Sequence, residues 1–444
     1  MFVCEKLGRF TAGLHAATLQ PEVIHHAQRA LVDWYGALLA GYVMDPTPMV
    51  ERALATELDQ GRARLPLGRA AATRAAALVL GTAAHTAEMD DIYREAIYHP
   101  AAPVFSAAMA MGQSVGADGM EFLKAAIAGY ETSTRIGRTM GRAHYRHWHN
   151  TGTVGTFGAT AAAAYLLKLD ATQTANALAL AATFAAGLQQ AFKMDSMAKP
   201  LHAGRAAEAG VSAAMLAQQG VTGSLDVFEG EVGLGVAMSN GPDWSAAFDD
   251  LGRVFNINSM TFKYHACCGH TFAPIDGALE LQKRHGIQAG DIEQLTIATY
   301  SPALAVAGNI NPANAQEARF SLPFVVATAL LHGSVRLAAF EQERLESQAI
   351  RALMRCIKLE VEPQLDAAFP GQRAAKVTIR TRDGQEFSLL QPTRKGDPDM
   401  PLTDTELDEK FTELAQPVIG ADKCRQVSAA LWRMERAADL SALG

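Results

Sequence analysis

Four carboxylates, an arginine and a histidine fall inside thirteen residues, Glu88-Met-Asp-Asp-Ile-Tyr-Arg-Glu-Ala-Ile-Tyr-His-Pro100, directly behind an alanine-rich stretch. Acids and an imidazole at that density are what proton transfer requires. A solvated helix end would use the same residues differently, with Asp90 and Asp91 closing a helix from Ala71 to Thr86 and the remainder forming a surface loop. Company further along the chain favours chemistry.

In His144-Tyr-Arg-His-Trp-His149, three histidines and an arginine precede a glycine-rich turn that opens an alanine helix. Backbone N–H groups at a helix start, reinforced by the macrodipole, favour an anion. A metal site made of His144, His147 and His149 and a plain polar loop are the competing readings. His147 and His149 at i, i+2 fit zinc poorly without a partner, so no metal is expected. Met194 to Gly210 brings Lys199 and Pro200 to the start of another helix, where a positive charge is unfavourable unless an anion sits beside it. His202 and Arg205 follow at i, i+3 on one face as candidate substrate binders; Ala203 and Ala207 would serve close helix packing.

The third motif, Phe262 to Gly277, carries His270 and the adjacent Cys267 and Cys268 where the helical part of the chain ends. Such a boundary is the usual place for a small-molecule cleft. Neighbouring cysteines form disulfides only under strain, so buried inert thiols are expected. Taken together, His99, His149, Lys199 and His270 with Glu88, Asp90 and Asp91 suit a site that binds a polycarboxylate and moves a proton next to a carboxylate.

These residues need elements to hold them. Helical spacing of apolar residues runs from Pro21 to Val43, Ala71 to Thr86, Val104 to Val115, Met120 to Met140, Val154 to Leu167, Ala171 to Leu188 and Ala203 to Gln219. Several are small and apolar on most faces, which places them inside a bundle. After Val254 the pattern changes. Ile292 to Thr299 and Cys356 to Val361 read as strands, Lys376 to Leu390 as a hairpin turning at Asp383-Gly384, and Gly277 to His285 and Phe324 to His332 as helices. Thr403-Asp-Thr-Glu406 has the form of a capping box, and Ala421 to Ala437 is amphipathic. The fold class expected is mainly α with a smaller α+β domain.

At 444 residues, two domains are the prior. A net charge of −7 without a basic stretch excludes nucleic acid as an expected partner. Five cysteines without CxxC spacing indicate neither a disulfide framework nor a zinc or iron–sulfur site. No apolar run is long enough to span a bilayer and Met1 to Phe10 lacks the form of a signal peptide, so a cytoplasmic protein is expected.

The segments HTAEMDD and HPAAPV, then HWHNTGTVGTFGAT, MAKPLHAGRAAEAGV, KYHACCGHTFAPIDGAL and EARFSLPFVVATALLHG stand in one order along nearly the whole chain. In these the chain resembles the MmgE/PrpD family, which includes 2-methylcitrate dehydratase, cis-aconitate decarboxylase and iminodisuccinate epimerase. The resemblance implies an all-helical domain from residues 1–256 and 402–444, an α+β lid from residues 257–401, and an active site in a cleft between them. It also implies a homodimer with no cofactor. The family's acidic residue ahead of the Asp pair falls on Glu88, where the decarboxylase branch has Asp, and the second Asp of the pair is Asp91. Ile92 replaces a Thr, the loop to His99-Pro100 is one residue longer, and Asn150 stands after His149 where many members have Pro. The implied roles are His99 and His149 as acid and base, Asp91 or Glu88 orienting a histidine, and Lys199 and His270 clamping carboxylates. The activity expected first is dehydration of a 2-methylcitrate-like hydroxy acid, with decarboxylation, epimerisation and a non-catalytic polycarboxylate-binding protein as alternatives.

Overall fold

The computed structural model describes residues 1–192, 196–369 and 371–444. The chain divides into two compact units, Met1–Phe262 with Thr403–Gly444, and Lys263–Leu402. It is mainly α with a smaller α+β domain.

The principal helices of the first unit are α1 (Val3–Gly13), α2 (Pro21–Tyr42), α3 (Thr73–Thr86), α4 (Ala101–Val115), α5 (Gly119–Tyr145), α6 (Asn150–Leu166), α7 (Ala171–Ala182) and α8 (Ala198–Gln218). Every residue of α6 is buried, and α4, α5, α7 and α8 pack around it. Its side chains are mostly Ala, Gly and Thr, so neighbouring backbones come close and dispersion over many short contacts replaces the burial of large side chains. The clearest case lies between α3 and α8. A Cβ on Gly81 would stand 2.8 Å from the Gly204 Cα, and one on Gly204 would stand 2.3 Å from the Leu78 carbonyl oxygen. Glycine at both crossing points, rather than the expected Ala203 and Ala207, brings the two helices together.

Helix boundaries follow local chemistry. Asp118 caps α5 by accepting from the Glu121 N–H, and Asp170 caps α7 in the same way through Gln173. Gly141, at φ 64°, breaks α5 near the predicted end at Met140. The helix expected to reach Leu188 stops at Ala182, leaving Gly187 free to meet the start of α6. This unit is not all-helical: β1 (Leu58–Arg64) pairs antiparallel with β2 (Ala70–Ala71), two short strands without a period-2 apolar signal.

In the second unit the sheet order is β4-β3-β5-β6, with β3 (Ile292–Thr299), β4 (Ile357–Val361), β5 (Ala375–Thr381) and β6 (Glu386–Gln391). β3 runs parallel to β4 and antiparallel to β5, and β5–β6 is the hairpin expected at Asp383-Gly384. Helix α9 (Phe272–His285) packs on β5 and β6, and α10 (Leu322–His332) packs on α9.

Two C-terminal helices, α11 (Asp404–Ile419) and α12 (Ala421–Leu431), return to the first unit. Thr403 closes the expected capping box with Glu406. From α11, Lys410 reaches through the core to Asp33 of α2 at 2.5 Å and to the Met89 carbonyl at 2.7 Å, wholly buried at both ends. Removing the cation from a buried ion pair costs about 3–5 kcal/mol, because the remaining charge stays out of water. Lys410→Met should therefore lower the unfolding free energy by roughly that amount, and Asp33→Leu in the same chain should recover much of it. A denaturant titration in which Lys410→Met lies within 1 kcal/mol or so of wild type would refute this role.

Candidate functional site

The acidic block is not a solvated helix end. Helix α3 stops at Thr86, and Asp90 and Asp91 are both completely buried. Glu88 takes φ 59°, the left-handed conformation in which a glycine usually ends a helix. Its carboxylate meets the Lys199 ammonium. Lys199 lies in the first turn of α8, which begins at Ala198, one residue ahead of Lys199 rather than after it. A cation there opposes the macrodipole, and Glu88 supplies the anion that offsets it. Met194 and Asp195, which open this motif in the sequence, lie outside the described residues.

Asp90 is the carboxylate that meets the histidines. Its Oδ2 stands 2.6 Å from the His85 Nδ1 and 3.4 Å from the His99 Nδ1. Burial alone would raise this carboxyl, but His85 and then His99 outweigh it and hold Asp90 well below the usual carboxylate range. Asp91 behaves oppositely. Burial drives it well above that range, opposed by the Ala101 N–H at 3.0 Å and the Tyr130 hydroxyl at 2.8 Å, with Asp33 and Asp90 adding repulsion. Of the carboxylates expected to orient a histidine, Glu88 meets Lys199 and Asp91 ties the loop to the start of α4 and to α5, while Asp90 is the one that faces the imidazoles.

The loop from Asp91 to His99 is pinned along its length. Ile92 exchanges backbone hydrogen bonds with Thr261, and Tyr93 with Tyr98, closing the longer segment into a small excursion. Asn150 donates from Nδ2 to the Ala96 carbonyl, and the Thr151 Oγ1 accepts from the His99 N–H at 3.4 Å. The first turn of α6 thus fixes the loop that delivers His99.

His149 is the N-cap of α6, its own N–H donating to the Gly187 carbonyl at 2.8 Å. Its Nδ1 lies 3.0 Å from the His202 Nδ1, so one ring donates and the other accepts. His85 has its ring centroid 4.9 Å from that of His99 and 5.5 Å from that of His149. Four imidazoles, His85, His99, His149 and His202, therefore form one array beside Lys199. His85 was missed from the sequence; its position one turn past the Gly81 crossing was the available signal. Arg205, expected beside His202, is exposed and paired with Glu208, so it leaves the substrate-binding set.

The three histidines before α6 do not converge. Both ring nitrogens of His144 are engaged, by the Met238 carbonyl and the Thr153 hydroxyl, and His147 is exposed. Ligand atoms of His85, Asp90 and His99 lie within 4.8 Å of one another. However, 2.6 Å between His85 Nδ1 and Asp90 Oδ2 is a hydrogen-bond separation. Two ligands each about 2.0–2.1 Å from one zinc stand about 3 Å or more apart, so His85 and Asp90 form a hydrogen-bonded pair, with His99 beside it at 3.4 Å from the shared oxygen.

In the second unit, His270 is bonded through Nδ1 to the Tyr300 hydroxyl at 2.8 Å, and burial, then Arg373 and Arg394, push it down to about 3. Cys267 is buried and pushed up to about 12 by burial, as expected of an inert thiol, whereas Cys268 is only half-buried.

Burial first, then His85, Lys199 and its other neighbours, lower His149 well below the usual imidazole value; burial, His85 and Lys199 bring His202 to about 4. Between pH 6.5 and about 4 the unfolded chain binds protons that folded His202 refuses, so stability falls as pH falls. His202→Gln cannot titrate and should flatten part of that decline. Unfolding curves with the same pH dependence in both proteins would contradict the assignment.

No helix among the described residues is long and apolar enough to cross a membrane. Over 473 aligned residues the chain is 28% identical to the cis-aconitate decarboxylase-like protein oryM of Aspergillus oryzae, covering 99% of this chain and 96% of that protein. It is 26% identical to the cis-aconitate decarboxylase of Homo sapiens, covering 99% and 93%. Against the enzyme of that name from Mus musculus it is also 26% identical, covering 83% and 77%. The MmgE/PrpD N-terminal domain matches residues 5–247 and the MmgE/PrpD C-terminal domain residues 265–435, the latter running past Leu402 into α11 and α12. With both domains matched in order along the chain, this protein belongs to the MmgE/PrpD family of enzymes.

Proposed function

We propose that this enzyme is a cofactor-independent lyase that decarboxylates a cis-aconitate-like unsaturated tricarboxylate. The observation that carries the reading is Lys199, an ammonium at a helix N-terminus, beside an array of imidazoles and already engaged by a carboxylate, that of Glu88. A substrate carboxylate competes for the same cation. The names of relatives aligned over nearly the whole chain support decarboxylation ahead of the 2-methylcitrate dehydration expected from the sequence. Dehydration and epimerisation stay in the assay because Glu88 departs from the Asp of the decarboxylase branch.

Loss of CO2 breaks a carbon–carbon bond and leaves its electron pair spread over the double bond and the remaining carboxylates. A nearby cation lowers the energy of that charge, and Lys199 is placed for it. A proton must then reach carbon. His149, held neutral, is poorly suited to carry it and is the better hydrogen-bond partner or base, whereas the Asp90 carboxylate beside His99 stabilises a proton there. His99 is the proton donor in this scheme. The expected homodimer is part of the same proposal.

Incubation with cis-aconitate should release CO2, and Lys199→Ala and His99→Gln should each reduce the rate at least about a hundredfold with the helical circular dichroism unchanged. A panel of citrate-like acids, followed by ultraviolet absorbance for new double bonds and by NMR in heavy water for proton exchange, separates decarboxylation from dehydration and epimerisation. Binding of these acids without CO2 release, dehydration or exchange would sink the enzymatic reading and leave a polycarboxylate-binding protein.

A further inference from the structure

We propose that His85 and Asp90 form a buried positioning dyad that sets the proton affinity of His99 by dividing one carboxylate between two imidazoles. The inference deepens the reading above, in which His99 donates the proton.

A single oxygen, Asp90 Oδ2, faces both rings, at 2.6 Å from His85 Nδ1 and 3.4 Å from His99 Nδ1. It has little freedom to turn towards one of them. On one side of Asp90 the Met89 carbonyl is held by Lys410; on the other, Asp91 is held by the Ala101 N–H and the Tyr130 hydroxyl. The two imidazoles differ in access. The His85 side chain is wholly buried and its Nε2 has no hydrogen-bond partner among the described residues, so it has no direct route for exchanging protons with a substrate. His99 retains 14% exposure. The exposed ring is the one able to pass a proton outward, and the buried ring can act only through Asp90.

The surrounding charges explain why such a device is needed. His99 stands beside His85 at the end of α3 and near His149 at the cap of α6, both of which oppose a proton on it when charged, and His149 in turn has Lys199 and His202 of α8 beside it. Glu88 is engaged with Lys199; Asp91 favours its neutral form; Asp33 faces Lys410. Among the described residues, Asp90 is the carboxylate that faces His99, at 3.4 Å, and its charge favours a proton there. How much it does so depends on how strongly His85 holds the same oxygen. Loss of Asp90 should lower the affinity of His99 for a proton, and loss of the His85 donor should raise it.

Ring-nitrogen NMR of the full chain with labelled histidine, without substrate, reads this directly, with His99→Gln assigning the His99 signals. Asp90→Asn should move the His99 titration midpoint down by about one unit or more. His85→Leu should move it up. His85→Asn, whose amide can stand in for the Nδ1–H donor, should lie near wild type. With cis-aconitate, Asp90→Asn should lower kcat by about 10²–10⁴-fold and change KM far less. A His99 midpoint unmoved in Asp90→Asn, or moved in the same direction by Asp90→Asn and His85→Leu, overturns the dyad. Should Asp90→Asn not fold, the two His85 variants decide: equal midpoints in His85→Leu and wild type refute the sharing. Shifted midpoints in a protein that does not turn over cis-aconitate would sink the proposed function and leave the dyad standing.

Discussion

Two adjacent carboxyls taken wholly out of water, Asp90 and Asp91, are the constraint on which the rest of this fold turns. Burial of an ionised carboxyl is tolerated only where partners face it or where it keeps its proton. Both solutions occur side by side. Asp90 has imidazoles and stays ionised, while Asp91 has a helix N–H and a tyrosine hydroxyl and favours its neutral form. Supplying those partners requires the end of α3, the start of α4, the middle of α5 and, through Lys410 and the Met89 carbonyl, a C-terminal helix more than 300 residues away in sequence. The return of the chain to its first unit is part of building the acid loop.

The side chains of the proposed site gather at helix ends. His85 closes α3, His99 stands just ahead of α4, His149 caps α6 and Lys199 opens α8. Termini are where backbone groups lack intrahelical partners and where dipole ends are exposed, so they are suited to holding charge. Bringing four of them together demands helices packed closer than large side chains allow. Gly81 and Gly204 meet that demand between α3 and α8, one turn from His85 and at the residue after Ala203. The alanine and glycine content is therefore a condition of the site as well as of the bundle.

Most of the element pattern was legible because its signals are local. Helical periodicity located the bundle helices, Asp383-Gly384 the hairpin and Thr403 to Glu406 the cap of α11. The short strands β1 and β2 were not legible, since two-residue β2 carries no period and β1 buries only Leu58 and Ala63, five positions apart and out of step with an alternating pattern. Within the site, Glu88, His99, His149, Lys199 and His202 could be named from motifs, and the anion missing beside Lys199 was anticipated from the dipole alone. Three-dimensional matters escaped. Nothing in two consecutive aspartates tells which one turns towards the histidines, and no spacing in the sequence marks His85 as the partner of Asp90. Arg205 shows the limit of spacing arguments: at i, i+3 from His202 it is exposed and pairs with Glu208, a partner that the i, i+3 spacing to His202 does not reveal.

The departures from the family pattern make sense as one local arrangement. Lengthening the segment before His99 would leave an excursion whose backbone needs partners, and Asn150, where many members have Pro, donates to the Ala96 carbonyl inside that excursion. Proline has no side-chain amide to do so. Ile92, in place of a threonine, is buried and bridges Thr261 through backbone groups alone, so its side chain adds apolar packing where a hydroxyl would need a partner. Glu88, one methylene longer than Asp, spans from a left-handed turn to the Lys199 ammonium. All three residues thus act on the segment that carries His99 or on the Lys199 ammonium itself.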